Sequence, residues 1–200
     1  MAYTTFTRLE AVNIMLSVVA QAPVESLETA QNAYVTTAEN ILNEVLRELN
    51  SQEWWFTTEY SVVASPDADG FISLGSNVVS VDDSTGVYNW TKRGDRLYDL
   101  DNHSFEFTGD VTLDIVYALE WDDMPIAAKN YAVKRAARIL NDRLFRDPVI
   151  QRAASFDENI AWQALVVENS RQADYNLFNN PELSVGLLYQ SRSPIEGGWV

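Results

Sequence analysis

The stretch NAYVTTAENILNEVLRELNSQEWWFTTEYSVV, residues 32–63, decides the fold, because its apolar period changes part-way along. Up to Asn50, the residues Tyr34, Ala38, Ile41, Leu42, Val45 and Leu49 recur at the three- and four-residue spacing of one helical stripe. Glu39, Asn40, Asn43, Glu44, Arg47 and Glu48 occupy much of the remaining surface, and Asn32 stands where an N-cap is expected. Glu44 and Arg47, three apart, are expected to pair. From Trp55 to Val63 the chain turns aromatic and β-branched with a period of two, which reads as a strand. A helix running straight into strand-rich sequence predicts blocks of helix and sheet, an α+β fold.

Upstream, Leu9, Val12, Met15 or Leu16, and Val19 predict a helix over residues 7–20 that Gln21-Ala22-Pro23 ends. Downstream, Pro66 to Gly70 is a turn signal. Phe71–Leu74, Val78–Val81, Val87–Thr91 and Arg96–Leu100 are short strand candidates. Ser104–Phe107 is expected to pair back across a turn at Asp101-Asn102-His103. In the last strand, Val111–Leu119, alternation sends Val111, Leu113, Ile115 and Tyr117 to one face and Thr112, Asp114 and Val116 to the other.

Met124-Pro125 restarts a helix, with proline expected at its first position and Asp122 and Asp123 against its positive end. That helix runs to about Phe145 and breaks at Arg146-Asp147-Pro148. A fourth helix is expected over about 149–175, bent near Ser155–Asn159, with Ile150, Ala154, Ile160, Ala161, Ala164, Leu165 and Val167 inward. The expected organisation is an up-down bundle of about four helices from residues 1–53 and 122–176. An antiparallel β-region, 54–121, is inserted in it, and an extended C-terminal arm, 177–200, follows. The arm carries Leu183, Leu187, Leu188, Tyr189 and Trp199 among two prolines and three glycines. It is too apolar for a solvating tail, and docking on another subunit is expected.

Charge and composition narrow the function classes. Fourteen basic residues against 29 acidic ones give a formal charge of −15, the reverse of a protein that grips phosphates. Apolar residues at 46% support a real core, and with no cysteine a disulfide frame, thiolate metal site and cysteine nucleophile are excluded. The apolar run Ile14–Ala22, broken by Ser17 and Gln21, is too short to span a bilayer. With no basic segment preceding an apolar one, an unexported chain is expected.

Chemistry finds little footing, and the expectation is a non-enzyme without cofactor or metal. The single histidine, His103, falls in a predicted turn, a poor place for the oriented imidazole of a nucleophilic triad. No phosphate-binding glycine loop or zinc motif occurs. Asp67-x-Asp69-Gly70 and Asp99-x-Asp101-Asn102 echo calcium loops but lack the later glutamate. Arg93-Gly94-Asp95 reads as a turn. Among so many acids a pair of carboxylates is guaranteed, so a glycan hydrolase stays only as an alternative.

One pattern stands apart. Lys129, Lys134, Arg135, Arg138, Arg143 and Arg146, six of the 14 basic residues, lie within eighteen positions. Three readings compete: a face for an acidic partner, a solvated face balanced by the chain's own acids, and a DNA-facing helix. The first is preferred.

The order of these parts resembles a known family. Ala11-Val12-Asn13 leads to Ala22-Pro23-Val24 and Ser26-Leu27-Glu28, then to Ala38-x-x-Ile41-Leu42-Asn43 and Trp54-Trp55-Phe56. After the strand-rich insert come Asp122-Asp123-Met124-Pro125 and Asn141-x-Arg143-Leu144-Phe145. Over roughly residues 9–150 this series is similar to the tail tubular protein A family, head-to-tail adaptors of short-tailed, podovirus-type phages. The resemblance implies a helical bundle with a β insert and a structural role in the virion tail, assembled in the host bacterial cytoplasm. It implies a homo-oligomeric ring of twelve copies between the portal protein and the nozzle protein, tail tubular protein B. It further implies that tail fibres attach nearby, that DNA passes through the lumen without sequence-specific binding, and that no membrane is involved. Loop tips of the insert and the C-terminal arm are the expected contacts. A different head-tail connector is the other alternative.

Overall fold

A computed structural model describes residues 6–28 and 32–172. Two helices, α1 (Arg8–Val18) and α2 (Ala33–Asn50), precede five strands: β1 (Thr58–Ala64), β2 (Val78–Asp83), β3 (Trp90–Arg93), β4 (Arg96–Asp99) and β5 (Val111–Tyr117). A 3-10 turn, Trp121–Asp123, leads into α3 (Ile126–Leu144) and α4 (Pro148–Gln172). The architecture is α+β, four helices plus small antiparallel sheets.

Local chemistry sets the helix ends. Thr7 and Glu10 form a capping box on α1, each side chain bonded to the other's amide, which satisfies two N–H groups the helix cannot. Past the end of α1, the Asn13 side chain clamps both backbone groups of Val24, at 3.0 and 2.8 Å. Asn32 caps α2 through the Tyr34 amide. Asp147 caps α4 by accepting from the amides of Val149 and Ile150 at 2.8 and 3.2 Å.

Two apolar clusters form. The larger joins Val12, Met15 and Leu16 of α1, Ile41, Leu42 and Val45 of α2, Ala132, Ala136 and Leu140 of α3, and Leu165 of α4. Trp54 and Trp121 sit at its edge, where their indole N–H groups donate to the carbonyls of Leu49 and Phe6, so burial leaves neither donor unsatisfied. The smaller lies on one face of the sheet β1-β5-β2 and includes Ile72, Leu97, Leu113 and Ile115. Val111, Leu113 and Ile115 are buried and Tyr117 packs beside them, as the alternation predicts. Val116, on the opposite face, is buried as well.

Several expectations are corrected. Tyr34 is not inside; it stacks on Phe145 at the surface, and Val35 and Leu46 fill the core instead. Pro125 is the N-cap of α3 rather than its first residue, because the 3-10 turn uses up the preceding residues. Pro148 takes the first-position role, in α4. α4 is hydrogen-bonded as one continuous helix through Ser155–Asn159. Phe71–Leu74 and Ser104–Phe107 contribute only isolated bridges, Phe71 to Glu106, Ser73 to Arg96 and Asp99 to Ser104. Turns at both ends leave these segments too short for a ladder. The arm residues Leu183, Leu187, Leu188, Tyr189 and Trp199 lie outside the described residues.

Candidate functional site

The side chains singled out on α3 do not form a free cationic row. Lys129 is buried; its ammonium donates to the Asp122 carbonyl at 3.1 Å and lies 5.7 Å from the Trp121 ring. Lys134 pairs with Asp157 of α4 at 3.0 Å. Arg135 donates to Glu48 of α2 at 2.6 Å and to the Tyr131 hydroxyl at 3.1 Å. Arg138 donates to Glu158 of α4 and, at 2.9 Å, to Asp142 of its own helix. Arg143 makes a two-pronged pair with Glu44 of α2, both bonds at 2.8 Å. Lys129 and Arg146 are the two of the six without an ion pair among the described residues, and Arg146 lies exposed beyond the end of α3. This is the geometry of the reading in which the chain's own acids balance the helix.

The spacing explains it. Residues 135, 138 and 142 recur along the flank of α3 that meets α4, so Glu158 reaches two guanidinium groups. Glu44 reaches across to α3 instead of pairing with Arg47 three residues along its own helix. The hydrogen bond from Arg143, more than any other contact, holds the Glu44 carboxyl below its ordinary range. The bond to Glu158 raises Arg138 further into its charged form. Burial works against the charge on Arg135, but Tyr131, Glu48 and Glu158 outweigh it.

The acids of the β-region are occupied in shaping turns. Asp99 accepts the amides of Asp101 and Asn102 at 2.8 and 2.9 Å and the Asn102 side chain at 2.9 Å. Asn102 is the main reason its carboxyl is held low. Burial pushes the Asp83 carboxyl up, but Thr85 and the amides of Tyr88 and Val87 overcome that and hold it low. Asp67 accepts from the amides of Asp69 and Phe71, and Gly70 closes that turn at φ +82°. The two calcium-like motifs are thus Asx turns. No group of three His, Cys, Asp or Glu side chains among the described residues could hold a metal. His103 is an exposed turn residue with φ +53°.

What the molecule displays instead is apolar surface. Of the 25 residues of α4, only Ala154 and Leu165 are buried. Val149, Phe156, Ile160 and Val167 recur on one outward stripe, with Val149 76% and Phe156 67% exposed. Trp162, on the opposite flank, anchors the helix against Trp54 and Tyr131 at ring distances of 5.6 and 5.1 Å. Asn169 accepts the Trp55 amide at 3.0 Å. A second exposed apolar pair, Val87 and Tyr88, stands at the tip of the β2–β3 loop. Sequence reading placed Ile160, Ala164 and Val167 inside and so missed the α4 stripe. The signal was there, in a helix with apolar residues on nearly every side.

A family model described as tail tubular protein matches residues 9–175. The chain belongs to the tail tubular protein family. Tail tubular protein A of Klebsiella phage KP34 is 32% identical over 117 residues, a match covering 58% of this chain and 62% of that protein. The tail tubular protein family is a family of phage tail structural proteins, and the geometry accords with such a role: paired charges, occupied carboxylates, and exposed apolar stripes on a firm bundle. No helix among the described residues is long and apolar enough to cross a membrane.

Proposed function

We propose that this tail tubular protein is an adaptor subunit that forms a ring joining the portal vertex to the tail nozzle around the DNA path. The observation that carries the reading is α4. A 25-residue helix with two buried residues and an outward apolar stripe is more than a free subunit needs, and exposed patches of this kind mark interfaces. A ring interface is heterologous, so each subunit needs two different faces. The α4 stripe is one; the Val87–Tyr88 tip and the C-terminal arm are candidates for contacts with the portal, nozzle protein and fibres. The count of twelve copies follows the resemblance to the adaptor family.

The charge supports a passive DNA path. A chain of net charge −15 whose α3 cations are mostly engaged by its own acids offers few free groups to phosphates, so DNA is not retained. The subunit acts by geometry, without a chemical step. Gold-labelled antibody against the chain, applied to intact and nozzle-stripped virions, tests the position. Label at the junction of capsid vertex and nozzle is expected, and label confined to fibres or the capsid interior would overturn it.

A further inference from the structure

Between α3 and α4 on the outer side runs an open groove of about 570 Å³. Its floor is apolar: Ile126 and Ala127 from α3, Ile160, Ala161 and Ala164 from α4. The two helices are antiparallel, so the groove has two distinct ends. The ion pair of Lys134 with Asp157 closes one. Glu168 and Ile126 stand at the other, one helical turn before α4 reaches Gln172. The chain beyond α4 therefore starts at the groove's open mouth.

That chain holds 28 residues, 173–200, and among them is Leu183-Ser184-Val185-Gly186-Leu187. In an extended backbone Leu183, Val185 and Leu187 share one face, while the other carries only a hydroxymethyl group and a hydrogen. The lengths agree. From Ile126 to Lys134 the groove runs about 12 Å at 1.5 Å per residue of helix, and four residues of extended chain span about 13 Å. Asn179-Asn180-Pro181 has the composition of a turn, which a return path needs, and Asn130 on the rim offers a polar side chain to a passing backbone. We infer that the groove is the seat of the chain's own residues 183–187, folded back in cis on the free protomer. A tether this short places the segment at millimolar effective concentration over its own groove, ahead of any second copy. The inference concerns the free protomer, and Ile160 belongs both to the groove and to the outward stripe of the ring reading.

Because the chain has no cysteine, a disulfide can form only where one is introduced. Full-length A164C/V185C, oxidised at low protein concentration, is compared with Q163C/V185C. Gln163 is exposed one position away, on the face of α4 turned from the groove. Seating predicts an intramolecular link at least about tenfold faster for the first pair, since disulfide geometry tolerates little misplacement. Adding Leu187→Asp should bring that rate down to the control's. Equal rates for the two pairs, links only between copies, or no link would each overturn the inference.

Discussion

Arg138 of α3 and Glu158 of α4 form the central ion pair of the bundle's outer seam, and each is further engaged, Arg138 by Asp142 and Glu158 by Arg135. With so little of α4 buried, this network adds to the attachment that Trp162 and Leu165 provide. Glu158→Ala leaves two half-buried guanidinium groups short of a partner, which costs about 1–3 kcal/mol. The loss should fall on α4: hydrogen exchange of its amides quickens while those of α2 keep their protection. Uniform loss across the bundle would contradict this. The Glu44–Arg143 pair, more exposed, should show coupling in a double-mutant cycle that disappears at high salt.

Arg146 holds the left-handed conformation, φ +55°, and its amide and that of Phe145 both bond to the Asn141 carbonyl, closing α3. That position favours glycine. Since Arg146 makes no ion pair among the described residues, Arg146→Gly should raise stability by about 0.5–1 kcal/mol in urea titration. A destabilised variant would mean that the arginine does something at this corner beyond tolerating strain.

Interior and outward residues of α4 should separate cleanly. Leu165 is fully buried, so Leu165→Ala costs about 2–5 kcal/mol. The double variant Phe156→Ser/Val167→Ser, altering exposed side chains, should leave stability within about 0.5 kcal/mol yet abolish ring formation. Rings of normal yield from that variant would remove the stripe from the interface.

Asp83 and Asp99 both have carboxyls held below their ordinary range by turn hydrogen bonds. A group whose folded pKa lies below its unfolded value contributes fully above the unfolded value, about 3.9 for Asp, and loses that contribution as pH falls through the folded one. Asp99→Ala should therefore destabilise the β-region at neutral pH, and the gap from the parent should narrow as pH drops below about 4. A gap that is constant down to the acid limit would show that packing, rather than these charged acceptors, is what the substitution removes.

Much of this fold was legible because local signals agree with tertiary needs. The change of period at residues 50–55 placed the boundary between α2 and the strands, and β5 alternates as its burial requires. The failures have physical causes. Tyr34 continues the α2 stripe but, beside buried Val35 in the first turn, packs on Phe145 at the surface. Phe71–Leu74 has strand composition, yet its bonds go to turns and to single residues of two different segments. The cations of α3 looked like a surface patch because their acid partners are up to 99 positions away in sequence. Ile160 and Val167 of α4 were read as core because a sequence alone cannot tell an inward apolar face from an outward one.

The central claim is that this subunit builds a ring on the portal. Electron microscopy of the purified protein, alone and mixed with the portal protein of its phage, tests it most directly. The account predicts a ring coaxial with the portal, whose copy number can be counted from end-on views. A mixture in which the portal stays bare and the subunit forms no ring under either condition would contradict it.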